Sequence, residues 1–150
     1  MPHDDTATLL RQHAIQPSAQ RVAVADYALH TADHPSADQV WARVHDAVPM
    51  CSRATVYNTL NLLVEKGLLR ALVLAGGRTV FDPLTTPHHH FIDDATGEIV
   101  DVPWDAVKVS KVESLPGFDV REYAVVLRGR RTGRGARRPR TSSTARRSTR

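Results

Sequence analysis

Three consecutive histidines, His88 to His90, lie between two isolated carboxylates, Asp82 and Asp101. Residues two apart on a β-strand share a face, so His88 and His90 are expected to point together while His89 points away. If the DDATG segment closes a hairpin, the next strand brings Asp101 beside them. Imidazole and carboxylate together form a ligand set for iron, manganese or zinc rather than for copper(I) or calcium. The spacing indicates a candidate metal site, and a solvated or hydrogen-bonded histidine pair is the alternative.

Composition limits the class of protein and the kind of site. The chain has 150 residues, 41% of them hydrophobic, which allows one domain or two small ones. Its apolar runs are too short for a membrane span and no basic leader precedes one, so we expect a cytoplasmic protein with no membrane partner. The single cysteine, Cys51, excludes an intrachain disulfide and a zinc site built from several thiolates. We interpret Cys51 as a small buried residue rather than a redox sensor, because only a helix N-terminus lies nearby to activate it.

Charge is distributed unevenly along the chain. Residues 128–150 carry 10 of the 20 basic residues and no acid, whereas residues 81–127 carry 9 acids and 3 bases. An acidic block suits cation binding and is also typical of a solvated face. The arginine-rich tail has almost no apolar residue with which to pack, so it is predicted to be disordered. Such a tail could add nonspecific attraction to nucleic acid, and the alternatives are a tail that is merely solvated or one that is not native to the domain.

The first half of the chain has the pattern of a helical DNA-binding domain. Residues 6–13 and 18–30 are predicted helices, and two more helices follow on either side of a short turn, PMC. Ser36 and Ser52 are the expected N-caps of these last two helices. Residues 68–82 then form two short apolar segments around a Gly-Gly turn, which predicts a β-hairpin. This succession predicts a winged helix-turn-helix domain.

The fourth predicted helix has one apolar side and one polar side. Val56, Leu60 and Leu63 point one way, whereas Tyr57 and Asn58 point the other. Asparagine can pair with adenine, tyrosine can pack on a thymine methyl group, and arginine recognises guanine or phosphate. The candidate DNA-binding residues are Arg21, Ser52, Arg53, Thr55, Tyr57, Asn58 and Asn61. The alternative is a helical pair with an ordinary polar face.

The second half is predicted to be a small α/β dimerisation domain. Its expected strands are residues 88–92, 98–102 and 118–127, with a brief helix near residues 104–109. So few strands are marginal alone, and pairing with a second copy would complete the sheet. A homodimer would also carry two DNA-reading helices to the two half-sites of an inverted repeat in double-stranded DNA. The predicted class is α+β, with a winged-helix domain at residues 1–82, a hinge at 83–87, a metal-binding dimerisation domain at 88–127 and a basic tail at 128–150.

Longer segments of the sequence resemble a known family. The segments HPSADQVWARV, SRATVYNTLNLLVEKGLL, FDPLTTPHHHFI and GEIVDV are similar to the ferric uptake regulator family of dimeric, metal-dependent repressors. The similarity is greatest to the peroxide-sensing branch, whose regulatory metal is held by a histidine before the reading helix, a hinge aspartate, an HxH pair and a final aspartate. The resemblance implies five ligands here: His34, Asp82, His88, His90 and Asp101. The final aspartate favours the peroxide-sensing branch, because the iron-sensing branch usually has glutamate there.

Two features of that family are missing from the sequence. The family usually holds a structural zinc with four cysteines, and the corresponding positions here are Asp93, Thr96, Arg131 and Arg134. This four-cysteine zinc site is therefore not expected, and we hypothesise that Asp93 and Asp94 instead pair with Arg128, Arg130 or Arg131 to hold the last strand. The additional metal site of some members is not expected either. Its ligand positions hold Pro87, Lys108 and Val125, and only His89 remains.

The predicted function is a metal-dependent, dimeric transcriptional repressor that uses Fe(II) or Mn(II), with Zn(II) as a further option. The resemblance implies a peroxide signal: iron in the site reacts with hydrogen peroxide and oxidises His34 or His88, and the repressor leaves the DNA. The main alternative is an iron-, zinc- or haem-responsive repressor without peroxide chemistry. A non-haem iron enzyme would need a substrate pocket, and enzyme function would not account for the predicted DNA-reading helix. We therefore do not expect an enzyme. A winged-helix protein-interaction module would act without metal and without an operator.

Overall fold

The structure, a computed structural model, describes residues 2–132 of the chain. The chain divides into two compact units, and the break falls between Pro87 and His88. Four α-helices and a two-stranded sheet build the described part of the first unit, and a three-stranded sheet forms the second. The predicted α+β class is confirmed. No helix between residues 2 and 132 is long and apolar enough to cross a membrane.

Four helices open the first unit. They are α1 (Pro2–Gln12), α2 (Ala19–His30), α3 (Ala37–Ala47) and α4 (Arg53–Glu65). All four predicted helices are confirmed, although α1 begins at Pro2 rather than at residue 6. Two carboxylates in its first turn, Asp4 and Asp5, favour the earlier start, because negative charge stabilises a helix N-terminus.

Serine side chains determine where the other three helices begin. Ser18, Ser36 and Ser52 each accept a hydrogen bond from the backbone N–H three residues later, at 3.2, 3.3 and 3.1 Å. Gln39 also accepts the Ser36 N–H with its side-chain oxygen at 2.9 Å, which completes a capping box. These bonds satisfy N–H groups that the first turn of a helix leaves open.

The core of the first unit is apolar, and it fixes the orientation of α4. Val56, Leu60 and Leu63 of α4 are fully buried, as are residues contributed by the other helices and by the segment after α4. Those contributed residues include Leu10, Val24, Val40 and Leu69. Because one face of α4 is committed to the core, its opposite face is left on the surface.

A β-hairpin follows the helices, as predicted. Strands β1 (Arg70–Val73) and β2 (Thr79–Asp82) pair antiparallel. Gly76 and Gly77 in the turn have φ values of +86° and +82°, a region that residues with side chains rarely adopt. The Gly-Gly pair therefore specifies the turn, and the hairpin supplies the wing of a winged helix-turn-helix.

Three strands form the sheet of the second unit. They are β3 (His88–Asp93), β4 (Ile99–Pro103) and β5 (Val126–Gly129), in the order β4-β3-β5. β4 pairs antiparallel with β3, and β5 pairs parallel with its other edge. The central strand thus carries the three histidines and has a partner on each side.

Two predictions for the second unit are wrong in extent. The strand expected over residues 118–127 is β5 alone, which starts only at Val126. One reason is that the N–H of Val125 donates to the ring of His89 at 3.0 Å instead of continuing the ladder. The helix expected near residues 104–109 is a single 3-10 turn, Trp104–Ala106, and it ends where Val107 is extended.

The basic tail is described only at its beginning. β5 includes Arg128 and Gly129, which belong to the predicted tail. The disorder predicted for residues 133–150 falls outside the described residues.

Candidate metal centre and nucleic-acid interface

The first group of predicted ligands, His34 and Asp82, lies in the first unit. A hydrogen bond from the Phe81 N–H to the Pro35 carbonyl (2.9 Å) brings the residue before Pro35 next to the residue after Phe81. His34 has a φ of +50°, which is uncommon for a residue with a side chain. Its Nε2 lies 3.2 Å from Oδ2 of Asp82, and both side chains are buried. The other oxygen of Asp82, Oδ1, accepts the Leu84 N–H at 2.8 Å, which orients the carboxylate.

The second group, His88, His90 and Asp101, lies on two neighbouring strands. His88 and His90 share one face of β3, and the register places Asp101 of β4 directly opposite His90. The two Nε2 atoms lie 3.1 Å apart, and each lies 3.4 Å from Oδ1 of Asp101. Both imidazoles are buried, whereas the Asp101 side chain is 35% exposed. The structure therefore brings these three donors to one point on the surface of the sheet.

The donor atoms of both groups suit a divalent cation. Two donors that share one cation at bond lengths of about 2.1 Å lie roughly 3 Å apart. The spacings of 3.1–3.4 Å in the second group and 3.2 Å in the first are close to that value. Imidazole with carboxylate accepts Mn(II), Fe(II) or Zn(II). The five predicted ligands thus form two groups of matching chemistry, one in each unit.

His89 lies on the other face of β3 and has different partners. Its ring is fully buried and stacks on Trp104, with centroids 4.5 Å apart. Nδ1 accepts the Val125 N–H at 3.0 Å, which leaves Nε2 to donate to the Trp104 carbonyl at 3.2 Å. Both ring nitrogens are therefore used by the backbone.

The positions that replace the structural cysteines form ordinary turn contacts. Asp93 Oδ1 accepts the Ala95 N–H at 2.8 Å, and Thr96 Oγ1 accepts the Glu98 N–H at 3.2 Å. Arg131 pairs with Glu98 at 2.9 Å. Within the described residues, neither Asp93 nor Asp94 forms an ion pair with Arg128, Arg130 or Arg131, so the hypothesis that such pairs hold the last strand is wrong. Arg134 lies outside the described residues.

Most of the predicted DNA-binding residues lie on α4. Tyr57, Asn58 and Asn61 are exposed on its outer face, and Tyr57 is 45% exposed. The side chains of Ser52 and Thr55 are engaged in the N-cap, with their hydroxyl oxygens 3.0 Å apart. A groove of about 500 Å³ separates this face from the wing. Its polar lining includes Asp38, Tyr57, Asn61 and Arg78.

Three residues beside α4, namely Asp38, Trp41 and Arg78, were not among the predicted site residues. Asp38 forms an ion pair with Arg53 at 2.6 Å, and Trp41 stacks under the same guanidinium. Arg78, on the wing, donates to the Gln39 side chain at 3.2 Å. Helical periodicity predicts that residues 38 and 41 lie on one face of α3. The packing of α3 against α4, which periodicity does not predict, brings that face to Arg53.

The remaining candidates, Arg21 and Cys51, lie off the outer face of α4. Arg21 is in the first turn of α2, and its guanidinium donates to the Gln16 carbonyl at 3.1 Å. Cys51 is 1% exposed, and burial raises the pKa of its thiol. This burial confirms the interpretation of Cys51 as a small buried residue. A buried thiol with a raised pKa is a poor candidate for a redox sensor.

Several known proteins are similar to this chain in sequence or in fold. The chain is 31% identical over 124 residues to the peroxide operon regulator of Bacillus subtilis strain 168, covering 80% of this chain and 84% of that protein. The crystal structure of the Campylobacter jejuni peroxide stress regulator matches with a TM-score of 0.63 at 25% identity, covering 85% and 96% of the two chains. The Vibrio cholerae ferric uptake regulator has the same fold, with a TM-score of 0.67 at 20% identity over 83% and 98% of the chains.

The family itself is identified over most of the chain. A model of the ferric uptake regulator family matches residues 12–128. This range includes all five predicted metal ligands and all seven predicted DNA-binding residues. The chain therefore belongs to the ferric uptake regulator family of metal-responsive regulators.

Proposed function

We propose that this protein is a dimeric transcriptional repressor whose DNA binding depends on one divalent cation held by His34, Asp82, His88, His90 and Asp101. One observation carries the proposal: each unit contributes a tight group of imidazole and carboxylate donors. His34 faces Asp82 at 3.2 Å in the first unit. His88 and His90 each lie 3.4 Å from Asp101 in the second unit. A solvated histidine loop is not expected to bring five such donors into two tight groups.

The two residues of the first group, His34 and Asp82, are held in fixed positions. His34 is kept in a left-handed conformation that costs free energy in most contexts, and such strain is typical of functional positions. The Leu84 N–H fixes one oxygen of Asp82, and the other faces His34. When both groups bind the same cation, their units lose relative freedom, and the reading helices of a dimer take one fixed spacing. Metal binding and DNA binding then strengthen each other by the same factor.

The DNA contacts proposed for this state come from the outer face of α4. Tyr57, Asn58 and Asn61 are exposed and carry the side-chain types that recognise base edges in the major groove. Two copies of the chain would place two such helices on an inverted repeat. Arg21, Ser52 and Thr55 are proposed to contact the phosphate backbone, which positions a protein without specifying sequence.

We further propose that the signal is hydrogen peroxide, with Fe(II) as the sensing metal and Mn(II) as an unreactive substitute. Fe(II) held by these residues would supply the redox chemistry that activates the peroxide. One peroxide oxygen would be added to the imidazole of His34 or His88 and the other would leave as water, a two-electron oxidation of the ring with no net change in the iron. The oxidised ring would be a poorer ligand, so the metal would no longer hold the two units together. The similarity to the Bacillus subtilis peroxide operon regulator and the aspartate at position 101 support this signal.

A single experiment separates the proposal from its alternatives. Binding of an operator fragment is measured for Fe(II)-loaded and Mn(II)-loaded protein, before and after hydrogen peroxide, with mass spectrometry of the peptides containing His34 and His88. We expect the iron form alone to lose DNA binding, together with a mass gain of one oxygen. Equal resistance of both forms would favour an iron-, zinc- or haem-responsive repressor. Undiminished operator binding after chelation would reject metal-dependent repression altogether.

A further inference from the structure

Arg53, the first residue of the reading helix α4, is held from two sides within the first unit. Its Nη1 lies 2.6 Å from Oδ1 of Asp38, and its guanidinium carbon lies 4.1 Å from the centre of the Trp41 ring. Trp41 is itself fixed, because its Nε1 donates to the Cys51 carbonyl at 3.2 Å and its ring stacks on His45 at 4.6 Å. The indole thus provides a rigid platform for the guanidinium, with Asp38 at one edge.

This ion pair is accessible to a large ligand. The side chains of Arg53 and Asp38 are 57% and 61% exposed. Asp38 also lines the groove beside Tyr57, on the face proposed to meet DNA. A guanidinium binds a carboxylate and a phosphate with the same planar hydrogen-bonding geometry, so either anion can fill the position at its edge.

We infer that Asp38 is an internal substitute for a DNA phosphate: it holds Arg53 on Trp41 in the free protein and is displaced when the reading helix meets the operator. Asp38 therefore lowers the affinity for DNA, while Trp41 is a positioning residue that keeps the guanidinium aimed at the backbone. Arg53 in this arrangement contacts phosphate rather than a base. The inference rests on the DNA binding proposed above.

The salt dependence of binding is the distinguishing property. A protein charge that replaces a counterion on DNA makes binding steeper in salt, by about 0.9 in the slope of log K against log salt for each phosphate contact. In the wild type, Arg53 exchanges the Asp38 carboxylate for a DNA phosphate when the protein binds. The negatively charged Asp38 then lies near the other phosphates. Removing the Asp38 charge frees Arg53 before binding, so the slope should become steeper by up to about one unit.

The test compares Asp38→Asn with Asp46→Asn. The control makes the same change in net charge on an exposed residue at the other end of α3. Affinity is measured at salt concentrations from about 50 to about 300 mM for the Mn(II)-loaded protein, with an operator fragment selected by that protein from random DNA, and thermal melting by circular dichroism confirms folding. We expect Asp38→Asn to bind about three- to tenfold tighter at low salt with a steeper slope, since exposed pairs and rim charges have effects of this size. Asp46→Asn should change affinity less than about twofold.

The Arg53→Ala background completes the test. There, Asp38→Asn should gain less than about twofold, because no guanidinium remains to be released. An equal gain from Asp38→Asn and Asp46→Asn, a gain that persists without Arg53, or weaker binding of Asp38→Asn would each overturn the inference. If the metal-loaded wild type selects and binds no DNA, the proposed function fails and this inference falls with it; if the wild type binds and Asp38→Asn is unchanged, only the inference fails.

Discussion

The two faces of β3 place the same residue type in contrasting environments. On one face, His88 and His90 converge with Asp101, so that three donor atoms lie within 3.4 Å of one another. On the other face, His89 uses both nitrogens to bind the Trp104 carbonyl and the Val125 N–H. The imidazoles of His88 and His90 lie beside a carboxylate and each other, which is the arrangement proposed to bind a cation. The His89 ring lies between two backbone groups and links β3 to the segments at Trp104 and Val125. The partners of each ring, and not the histidine run itself, determine the role.

The largest expected effect comes from His90→Ala. Loss of a residue that only supports a metal ligand typically costs about 10- to 100-fold in affinity, so loss of the ligand imidazole itself should weaken Mn(II) binding by more than about 100-fold. Isothermal titration with Mn(II) measures this. The matched control is His30→Ala, a surface histidine that is 64% exposed on α2 and should leave the affinity unchanged. Comparable losses in the two variants would mean that the His88 face is not the metal site.

The second prediction concerns the opposite face. His89→Ala removes two hydrogen bonds and the ring that stacks on Trp104, and it should lower the free energy of unfolding by about 2–4 kcal/mol. Urea unfolding of the metal-free protein measures the change. His90→Ala serves as the comparison and should lose less, because it leaves the Val125 and Trp104 bonds intact. Equal losses in the free energy of unfolding would mean that the His89 contacts stabilise the protein no more than the His90 side chain does.

A smaller effect is expected from Asp101→Asn, which keeps the size of the side chain and removes its charge. The amide oxygen can still coordinate a cation but carries no negative charge, so Mn(II) binding should weaken by about 10- to 100-fold, a loss comparable to that of a residue that supports a ligand. Titration calorimetry again provides the measurement, and Asp94→Asn, exposed in the β3–β4 turn, provides the control. An affinity equal to that of the wild type would remove Asp101 from the ligand set.

The smallest effect should come from Arg131→Gln. Its ion pair with Glu98 is exposed on both sides and should contribute less than about 1 kcal/mol, with further weakening in salt. Urea unfolding at about 50 mM and about 500 mM salt tests this. A loss as large as that of His89→Ala would mean that this exposed ion pair contributes as much to the free energy of unfolding as the buried His89 ring does.

Local signals made the first unit and one face of β3 predictable. Serine caps, a Gly-Gly turn and helical periodicity each act within a few residues, and they predict α2, α3, α4 and the wing. The alternation of side chains along a strand predicts that His88 and His90 point together. In each case, the residues that produce the signal are close in sequence, and they also contact one another or share a face in the structure.

Longer-range contacts explain what the sequence did not predict. The short extent of β5 depends on the bond from the Val125 N–H to His89, which joins residues 36 positions apart. The pairing of Arg53 with Asp38 and Trp41 depends on how α3 meets α4. The ion pair of Arg131 with Glu98 joins residues 33 positions apart, while the Asp93 carboxylate accepts the Ala95 N–H within the turn. Residue type and spacing alone contain none of this information.

We propose that ligands from both units share one cation, and the number of imidazoles bound to that cation provides a direct test. Pulsed electron paramagnetic resonance of the Mn(II)-loaded protein measures the number of histidine nitrogens coupled to the ion. We predict three imidazoles in the wild type and two in His34→Ala. Two imidazoles in both proteins would contradict the claim, because the ion would then be bound by the second unit alone.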